Sequence, residues 1–112
     1  MRLFAKNTSI LSGEVDCPGD KSISQRAIII GALANQNISI TGFLNGEDPL
    51  STLSALNQIG ADISINNNEV TINERELTFS NPSNSIDLGN SGTGMRLIMG
   101  LIAGTGLKAT II

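Results

Sequence analysis

The sequence predicts an α/β fold in which short strands alternate with three helices. Apolar residues recur at helical spacing in three segments, and short β-branched segments lie between them. A polar turn that leads into an apolar helix also occurs twice, because residues 19–26 and residues 89–96 align with a glycine first and an arginine last. A repeat of this kind indicates a unit that is used more than once along the chain.

The first predicted elements are a strand and a helix. Residues 10–17 alternate loosely and end at a Pro-Gly turn, which predicts a strand with Cys17 buried in it. Residues 21–35 form a predicted helix with Asp20 or Ser22 as its N-cap. Additional apolar residues widen its hydrophobic surface, so we expect more than one face to be covered. The main apolar stripe of this helix consists of Ile23, Ala27, Ile30 and Ala34.

A second strand and a second helix follow. Residues 37–41 alternate cleanly, which is typical of a short strand. Asp48 is the predicted N-cap of a helix over residues 49–59, whose first position holds the proline that is favoured there. Gly60 is expected to end this helix.

The rest of the chain is predicted to hold short strands and a third helix. Three asparagines at 66–68 indicate a hairpin turn, residues 74–76 are typical of a solvated turn, and residues 93–103 have helical periodicity. The predicted strands are residues 61–65, 70–72, 77–79, 86–88 and 107–112. Because the last strand has no turn or cap after it, we expect the sequence to be the N-terminal fragment of a longer protein.

The composition limits the classes of function. The 112 residues carry a net charge of −3 and include three Phe but no Trp or Tyr, which argues against nucleic acid and anionic membranes as partners. The chain has no His and a single Cys, so neither a zinc site nor a thiol protease is expected. The N-terminus lacks the apolar region of a signal peptide and no apolar run has membrane-spanning length, so we expect a cytoplasmic protein.

Basic residues are concentrated at the two repeated helix starts, which hold three of the seven in the chain. At the first start, the Lys21 ammonium, the Ser22 hydroxyl and the backbone N–H groups can converge on one phosphate or carboxylate. Arg26 lies four residues after Ser22, on the same helix face, and adds a forked pair of donors. Alternatively, Ser22 only caps the helix while Lys21 and Arg26 are solvated surface residues.

The second repeated start is rich in glycine. Three glycines in residues 89–94 allow a ligand to approach the backbone closely, and Asn90 and Thr93 add short polar side chains. The spacing matches neither a Walker A loop nor the dinucleotide-binding fingerprint. The alternative is a glycine-rich turn capped by Asn90 or Ser91, with Arg96 as a structural residue that pairs with a carboxylate such as Asp48.

Residues 18–26 and 88–96, with Gly46-Glu47-Asp48 between them, resemble signatures of the EPSP synthase family of enolpyruvyl transferases. The resemblance covers nearly the whole chain in the right order, although the enzymes of this family are much longer. It implies βαβαββ units of an inside-out α/β barrel. It also implies that residues 1–18 belong partly to a second domain, while residues 19–112 form the first unit and the start of the next.

The resemblance implies a transferase of aromatic amino-acid biosynthesis. Such an enzyme moves the enolpyruvyl group of phosphoenolpyruvate to the 5-hydroxyl of shikimate 3-phosphate and releases phosphate. The resemblance implies no metal or organic cofactor, and its partners are the two anionic substrates and the rest of the parent chain; we expect the full enzyme to be a monomer. The acid–base residues of the family lie beyond Ile112, so we expect no catalytic residue in this chain and no activity from it alone.

The resemblance also assigns substrate-binding positions. Lys21 contacts both substrates in this assignment, while Ser22 and Arg26 hold shikimate 3-phosphate. From the residues themselves, and not from the resemblance, we expect Asp48 and Arg96 to have supporting roles.

Three further residues border the phosphoenolpyruvate pocket by the same resemblance, namely Asn90, Gly92 and Thr93. A methyl group at Gly92 would crowd phosphoenolpyruvate and its competitive mimic glyphosate, so a glycine there predicts sensitivity to glyphosate. Gln25 departs from the family pattern, since members often carry His or Asn at this position; the change is conservative.

Two other functions are consistent with parts of the sequence. One is a UDP-N-acetylglucosamine enolpyruvyl transferase, which has the same fold but lacks the helix start seen at residues 21–26. The other is a non-catalytic scaffold domain whose helix starts bind phosphate without chemistry. Binding of shikimate 3-phosphate would distinguish the function implied by the EPSP synthase resemblance from both alternatives.

Overall fold

Three helices and a three-stranded sheet make up the regular structure in the computed structural model, which describes residues 1–112. The elements are α1 (Lys21–Ala34), β1 (Ile38–Ile40), α2 (Glu47–Gln58), β2 (Ile63–Asn66), β3 (Glu69–Ile72) and α3 (Gly92–Thr105). The three predicted helices are therefore confirmed, as are the strands at 37–41, 61–65 and 70–72. None of the helices is both long enough and apolar enough to cross a membrane.

Helix α1 has the predicted ends but not the predicted buried face. The Asp20 carboxylate accepts the Ile23 N–H at 2.8 Å, and Asn35 ends the helix in the left-handed conformation with φ 51°. The predicted stripe is wrong, because Ile23 and Ile30 are 66% and 65% exposed. The helix is apolar on most sides, so periodicity does not reveal which side its neighbours cover. The buried residues are Ser24, Gln25, Ile28, Ile29, Gly31 and Ala32.

Helix α2 begins one residue earlier than Asp48, and Asp48 is not its N-cap. Gly46 occupies the cap position with extended backbone and makes no side-chain cap. Asp48 lies in the first turn beside Glu47, where a carboxylate interacts favourably with the helix dipole. The prediction is wrong because the Asp48 side chain binds a residue distant in sequence, which local capping preferences cannot indicate.

The sheet is antiparallel in the order β1-β3-β2. Asn66 pairs with Glu69 across the turn of the β2–β3 hairpin, and Asn67 adopts the left-handed conformation with φ 54°, so the predicted hairpin is confirmed. Because β1 and β2 each run antiparallel to β3, they are parallel to one another, and α2 connects them.

Two predicted strands are absent. Residues 10–17 and 77–79 have no strand structure, and Cys17 is exposed rather than buried. Backbone groups of a strand must be paired with a neighbouring strand, and no partner lies beside either segment. The strands predicted at residues 86–88 and 107–112 are present only as a single parallel bridge between Ile86 and Ile111.

The segment 74–76 is more than the solvated turn that the sequence predicts. The half-buried Arg75 guanidinium donates to the carbonyl of Ala32 at 2.8 Å and to Oδ1 of Asn35 at 3.1 Å, and it lies 4.0 Å above the Phe79 ring. The guanidinium thus satisfies the Ala32 carbonyl at the C-terminal end of α1 and holds the Asn35 side chain beside it. Desolvation lowers the pKa of Arg75 from its usual value, yet a guanidinium remains charged at physiological pH.

The hydrophobic core lies between the helices and the sheet, and it takes residues from every helix and from two strands. Its apolar members also include Ile86 and Leu88, which lead into α3. The fifteen buried apolar residues are Ile28, Ile29, Ala32, Phe43, Leu53, Ala55, Leu56, Ile59, Ile63, Val70, Ile72, Ile86, Leu88, Ile98 and Leu101.

We expect Arg75→Met to destabilise the fold by about 1–3 kcal/mol, because it leaves carbonyl groups at the end of α1 without their charged donor. Urea denaturation followed by circular dichroism measures this difference. Glu76→Gln changes an exposed neighbour and serves as the control. Equal stability of both variants and the unsubstituted chain would contradict the assigned role of Arg75.

A candidate anion site at three helix starts

The N-terminal ends of all three helices meet around one buried side chain. Gln25, in the second turn of α1, is 0% exposed. Its amide nitrogen donates to the hydroxyls of Thr52 in α2 and Ser91, the N-cap of α3, each at 2.9 Å, and reaches the Asp48 carbonyl at 3.3 Å. The sequence predicts two of these helix starts as anion-binding elements, and the structure brings the start of α2 to the same place.

Gly94 allows this close meeting of the helices. A Cβ atom on Gly94 would lie 2.7 Å from the Ser91 hydroxyl and 2.8 Å from the Thr52 hydroxyl, too close for either to remain in place. One glycine of this glycine-rich start, Gly94, therefore serves helix packing. Gly92 differs, because its Cβ would find only an Arg96 nitrogen within 4 Å, at 3.5 Å.

Backbone N–H groups remain unpaired at the starts of α1 and α3. Asp20 accepts the Ile23 N–H, and the Ser91 hydroxyl accepts the Gly94 N–H at 3.0 Å. The N–H groups of Ser22 and Thr93 have no partner within the chain. Unpaired amides and the positive end of the helix dipole together favour an anion at these positions.

The two cations at the start of α1 differ in their partners, since Lys21 is paired with a carboxylate and Arg26 is not. Lys21 and Asp48 form the only ion pair of the chain, at 2.8 Å, with side chains 52% and 25% exposed. The hydrogen bond from Lys21 to Asp48 raises the pKa of Lys21 above its usual value. Arg26 is exposed and has no ion-pair partner, so its guanidinium is free to bind an anion.

Arg96 does not form the ion pair with Asp48 that the sequence suggests as one alternative. Its guanidinium donates to the Gly92 carbonyl of its own helix at 3.3 Å and is exposed. The carboxylate of Asp48 is taken by Lys21 instead. Pairing between Arg96 and Asp48 is therefore wrong for this structure.

The remaining predicted residues lie at the same end of the helices. Ser22 and Thr93 are half-buried, and Asn90 is exposed just before α3. Ser91 is the N-cap of α3, which confirms one of the two caps that the sequence suggests. Sequence reasoning missed Thr52 and the buried role of Gln25. A polar residue within the apolar α1 is the only sequence signal for Gln25, and burial of a glutamine depends on neighbours far away in sequence.

No group of three or more His, Cys, Asp or Glu side chains in the chain is placed to hold a metal ion. The groups at the helix starts that can bind an anion are backbone N–H groups, hydroxyls and cationic side chains.

Comparison with known proteins identifies the family. The model of the family described as EPSP synthase (3-phosphoshikimate 1-carboxyvinyltransferase) matches residues 5–111. The chain belongs to the EPSP synthase family. It is 48% identical over 103 residues to the 3-phosphoshikimate 1-carboxyvinyltransferase of Ruthia magnifica subsp. Calyptogena magnifica, covering 91% of this chain and 24% of the relative. With the enzyme of the same name from Shouchella clausii (strain KSM-K16) it shares 39% identity over 113 residues, covering 100% of this chain and 26% of that relative.

A solved structure supports the same assignment. EPSP synthase from Acinetobacter baumannii matches with a TM-score of 0.72 and 43% identity, over 80% of this chain and 21% of that one. This likeness confirms the predicted α/β fold class, and the family match confirms the resemblance carried by residues 18–26 and 88–96. The chain spans about a quarter of the length of the curated EPSP synthases that it matches.

Asp48→Asn should lower the pKa of Lys21 toward its ordinary value of about 10.4. Folding raises the pKa of Lys21, so the ion pair contributes to the stability of the fold. This contribution is fully present at pH values below the pKa that Lys21 has in the unfolded chain. It is lost as the pH rises through the higher pKa that Lys21 has in the folded chain. A ¹³C NMR titration of the Lys21 side chain between pH 9 and pH 12 measures the change. Glu47→Gln removes a neighbouring carboxylate that does not bind Lys21 and should leave this titration in place; an identical effect of both variants would refute the pairing.

Proposed function

We propose that this chain binds shikimate 3-phosphate and phosphoenolpyruvate as part of a 3-phosphoshikimate 1-carboxyvinyltransferase. The observation that supports this proposal is the meeting of three helix starts, with unpaired N–H groups on Ser22 and Thr93 and an unpaired guanidinium on Arg26. Both substrates are small and carry several negative charges, so amide donors, helix dipoles and cations favour both of them.

Shikimate 3-phosphate occupies the start of α1 in this proposal. The N–H and hydroxyl groups of Ser22 and the forked donors of Arg26 project from the first two turns and share one face of the helix. Neither Ser22 nor Arg26 makes a side-chain hydrogen bond within the chain, so binding a phosphate breaks no existing contact of theirs.

Phosphoenolpyruvate occupies the start of α3. Thr93 offers an N–H and a hydroxyl, Asn90 offers an amide, and the open space beside Gly92 leaves the backbone accessible. Arg96 has a supporting role at this start, since it binds the Gly92 carbonyl from one turn further along the helix.

Lys21 contacts both substrates and keeps its ion pair with Asp48 when they bind. Its ammonium is held by Asp48, which keeps the charge at the site. Because three donors are available on an ammonium group, Lys21 can bind a phosphate oxygen while Asp48 keeps it in position. Asp48 therefore supports the site through Lys21.

The reaction joins the two bound anions by addition and elimination. The 5-hydroxyl oxygen of shikimate 3-phosphate bonds to C2 of phosphoenolpyruvate while C3 gains a proton and the hydroxyl loses one, which gives a tetrahedral intermediate. The bond from C2 to the phosphate oxygen then breaks, phosphate leaves, and C3 loses a proton so that the double bond forms again. The residues of this chain orient the substrates and compensate their negative charge. The acid–base groups are supplied from outside residues 1–112, so the chain alone should bind substrates without releasing phosphate from them.

The domain organisation of the family belongs to the same proposal. Residues 1–18 contribute partly to a second domain, and residues 19–112 form one βαβαββ unit and the start of the next. All of residues 1–18 are exposed and lack helix or strand structure, which supports their having a partner outside residues 19–112.

Arg26→Gln should weaken binding of shikimate 3-phosphate by about tenfold or more, because a charge-assisted hydrogen bond contributes about 1.5–3 kcal/mol. Isothermal titration calorimetry of the 112-residue chain measures the dissociation constant. Arg2→Gln makes the same change of charge in the exposed N-terminal segment and should leave the affinity unchanged. If the unsubstituted chain binds UDP-N-acetylglucosamine and not shikimate 3-phosphate, the proposed substrate is wrong; binding of inorganic phosphate alone would favour the scaffold alternative.

Gly92→Ala should weaken binding of phosphoenolpyruvate and of glyphosate while leaving binding of shikimate 3-phosphate unchanged. The added methyl group has room within the chain, so its effect falls on a ligand at the start of α3. NMR titrations with each compound, in the presence of shikimate 3-phosphate, measure the three affinities. Gly100→Ala, in open space on the same helix, is the matched control. Unaltered affinity for phosphoenolpyruvate in Gly92→Ala would count against the assigned pocket.

A further inference from the structure

We infer that Gln25 is a positioning residue that sets the spacing between the helix starts that bind the two substrates. This inference rests on the proposed function for the identity of the ligands, while its structural part rests on contacts within the chain. Gln25 is wholly buried, so it does not contact a ligand in solvent. Its single amide group connects α1 with both α2 and the N-cap of α3.

The chemistry of the connection explains why an amide is used. An apolar side chain of the same volume would fill the space, but apolar contacts have no preferred direction and tolerate sliding of one helix against another. The two hydrogen bonds to hydroxyls at 2.9 Å have a preferred length and angle, so they fix the position of α1 relative to Thr52 and Ser91.

The amide oxygen of Gln25 indicates that a contribution to stability does not by itself explain why a glutamine lies at this position. The Asp48 carbonyl can only accept, so the nitrogen faces it and the oxygen faces the other way. That Oε1 atom is buried without a hydrogen-bond partner in the chain. An unpaired buried acceptor lowers the stability of the fold, and an apolar residue would avoid this penalty.

The contacts of Gln25 lead directly to the proposed binding groups. Ser91 also accepts the Gly94 N–H and so fixes the first turn of α3, which carries the phosphoenolpyruvate residues. On the other side, Asp48 binds Lys21. A shift of the Gln25 amide therefore moves donors on two helices relative to one another, and a pair of anions held for reaction is sensitive to such a shift.

Gln25→Met tests the inference, because methionine keeps the length of the side chain and removes the amide. We expect the dissociation constant for phosphoenolpyruvate, measured in the presence of shikimate 3-phosphate, to rise about tenfold, because the donors at the start of α3 move relative to the ligand at the start of α1. We also expect the angle between α1 and α3 to change, which residual dipolar couplings of their backbone amides report. Gln25→His keeps one donor at a similar distance and should restore the affinity to within about threefold of the original.

Asn57→Ala is the matched control for a merely structural loss. It removes two hydrogen bonds between Asn57 and the backbone of Ile63, at the C-terminal end of α2. We expect lower thermal stability with unchanged affinity and an unchanged angle between α1 and α3. Thr52→Val, which removes one acceptor of Gln25 and keeps the shape of the side chain, replaces Gln25→Met if that variant does not fold.

The outcomes separate the inference from the proposed function. If Gln25→Met keeps both the angle and the affinity of the unsubstituted chain, or if Asn57→Ala weakens binding equally, the positioning role is refuted. If the unsubstituted chain fails to bind shikimate 3-phosphate, the proposed function is refuted. In that case the angle measured in Gln25→Met decides by itself whether Gln25 positions the helices.

Discussion

A buried amide with directional hydrogen bonds determines where three helix starts meet. Gln25 donates to Thr52 and Ser91 from the second turn of α1, and the surrounding packing depends on this contact. It requires a glycine at position 94, since any side chain there would displace the two hydroxyls. It also places three helix dipoles with their positive ends together, so that their potentials add at one end of the domain.

The electrostatics of this end differ from those of the whole chain. The net charge is −3, yet unpaired amides and cations are concentrated at the helix starts. Asp48 moderates this potential by binding Lys21, which leaves Arg26 as the cation without a protein partner. A carboxylate beside an anion site lowers its affinity, but it also holds a flexible lysine in place before a ligand arrives, which reduces the entropy that binding must overcome.

Local sequence signals predicted local structure well and long-range packing less well. Asp20 and Asn35 end α1 as their capping preferences predict, and Asn67 makes the expected hairpin turn, because these residues act on backbone within a few positions of themselves. The predicted strand at 10–17 is absent because a strand requires a partner. Ile23 and Ile30 are exposed although they belong to the most regular apolar stripe, because burial is decided by which neighbours pack against a helix.

Two helix starts of one design, with small donors and cations, are evident from the residues alone, and those same residues carry the family resemblance. Three further features depend on packing of the whole chain: a third start joins the first two, Lys21 rather than Arg96 binds Asp48, and Gln25 links the helices in the interior. These features could not be read from the sequence because the residues involved are far apart along the chain. Capping and periodicity act within one or two turns, whereas the contact between Gln25 and Ser91 spans 66 residues and exists only when the whole core is packed.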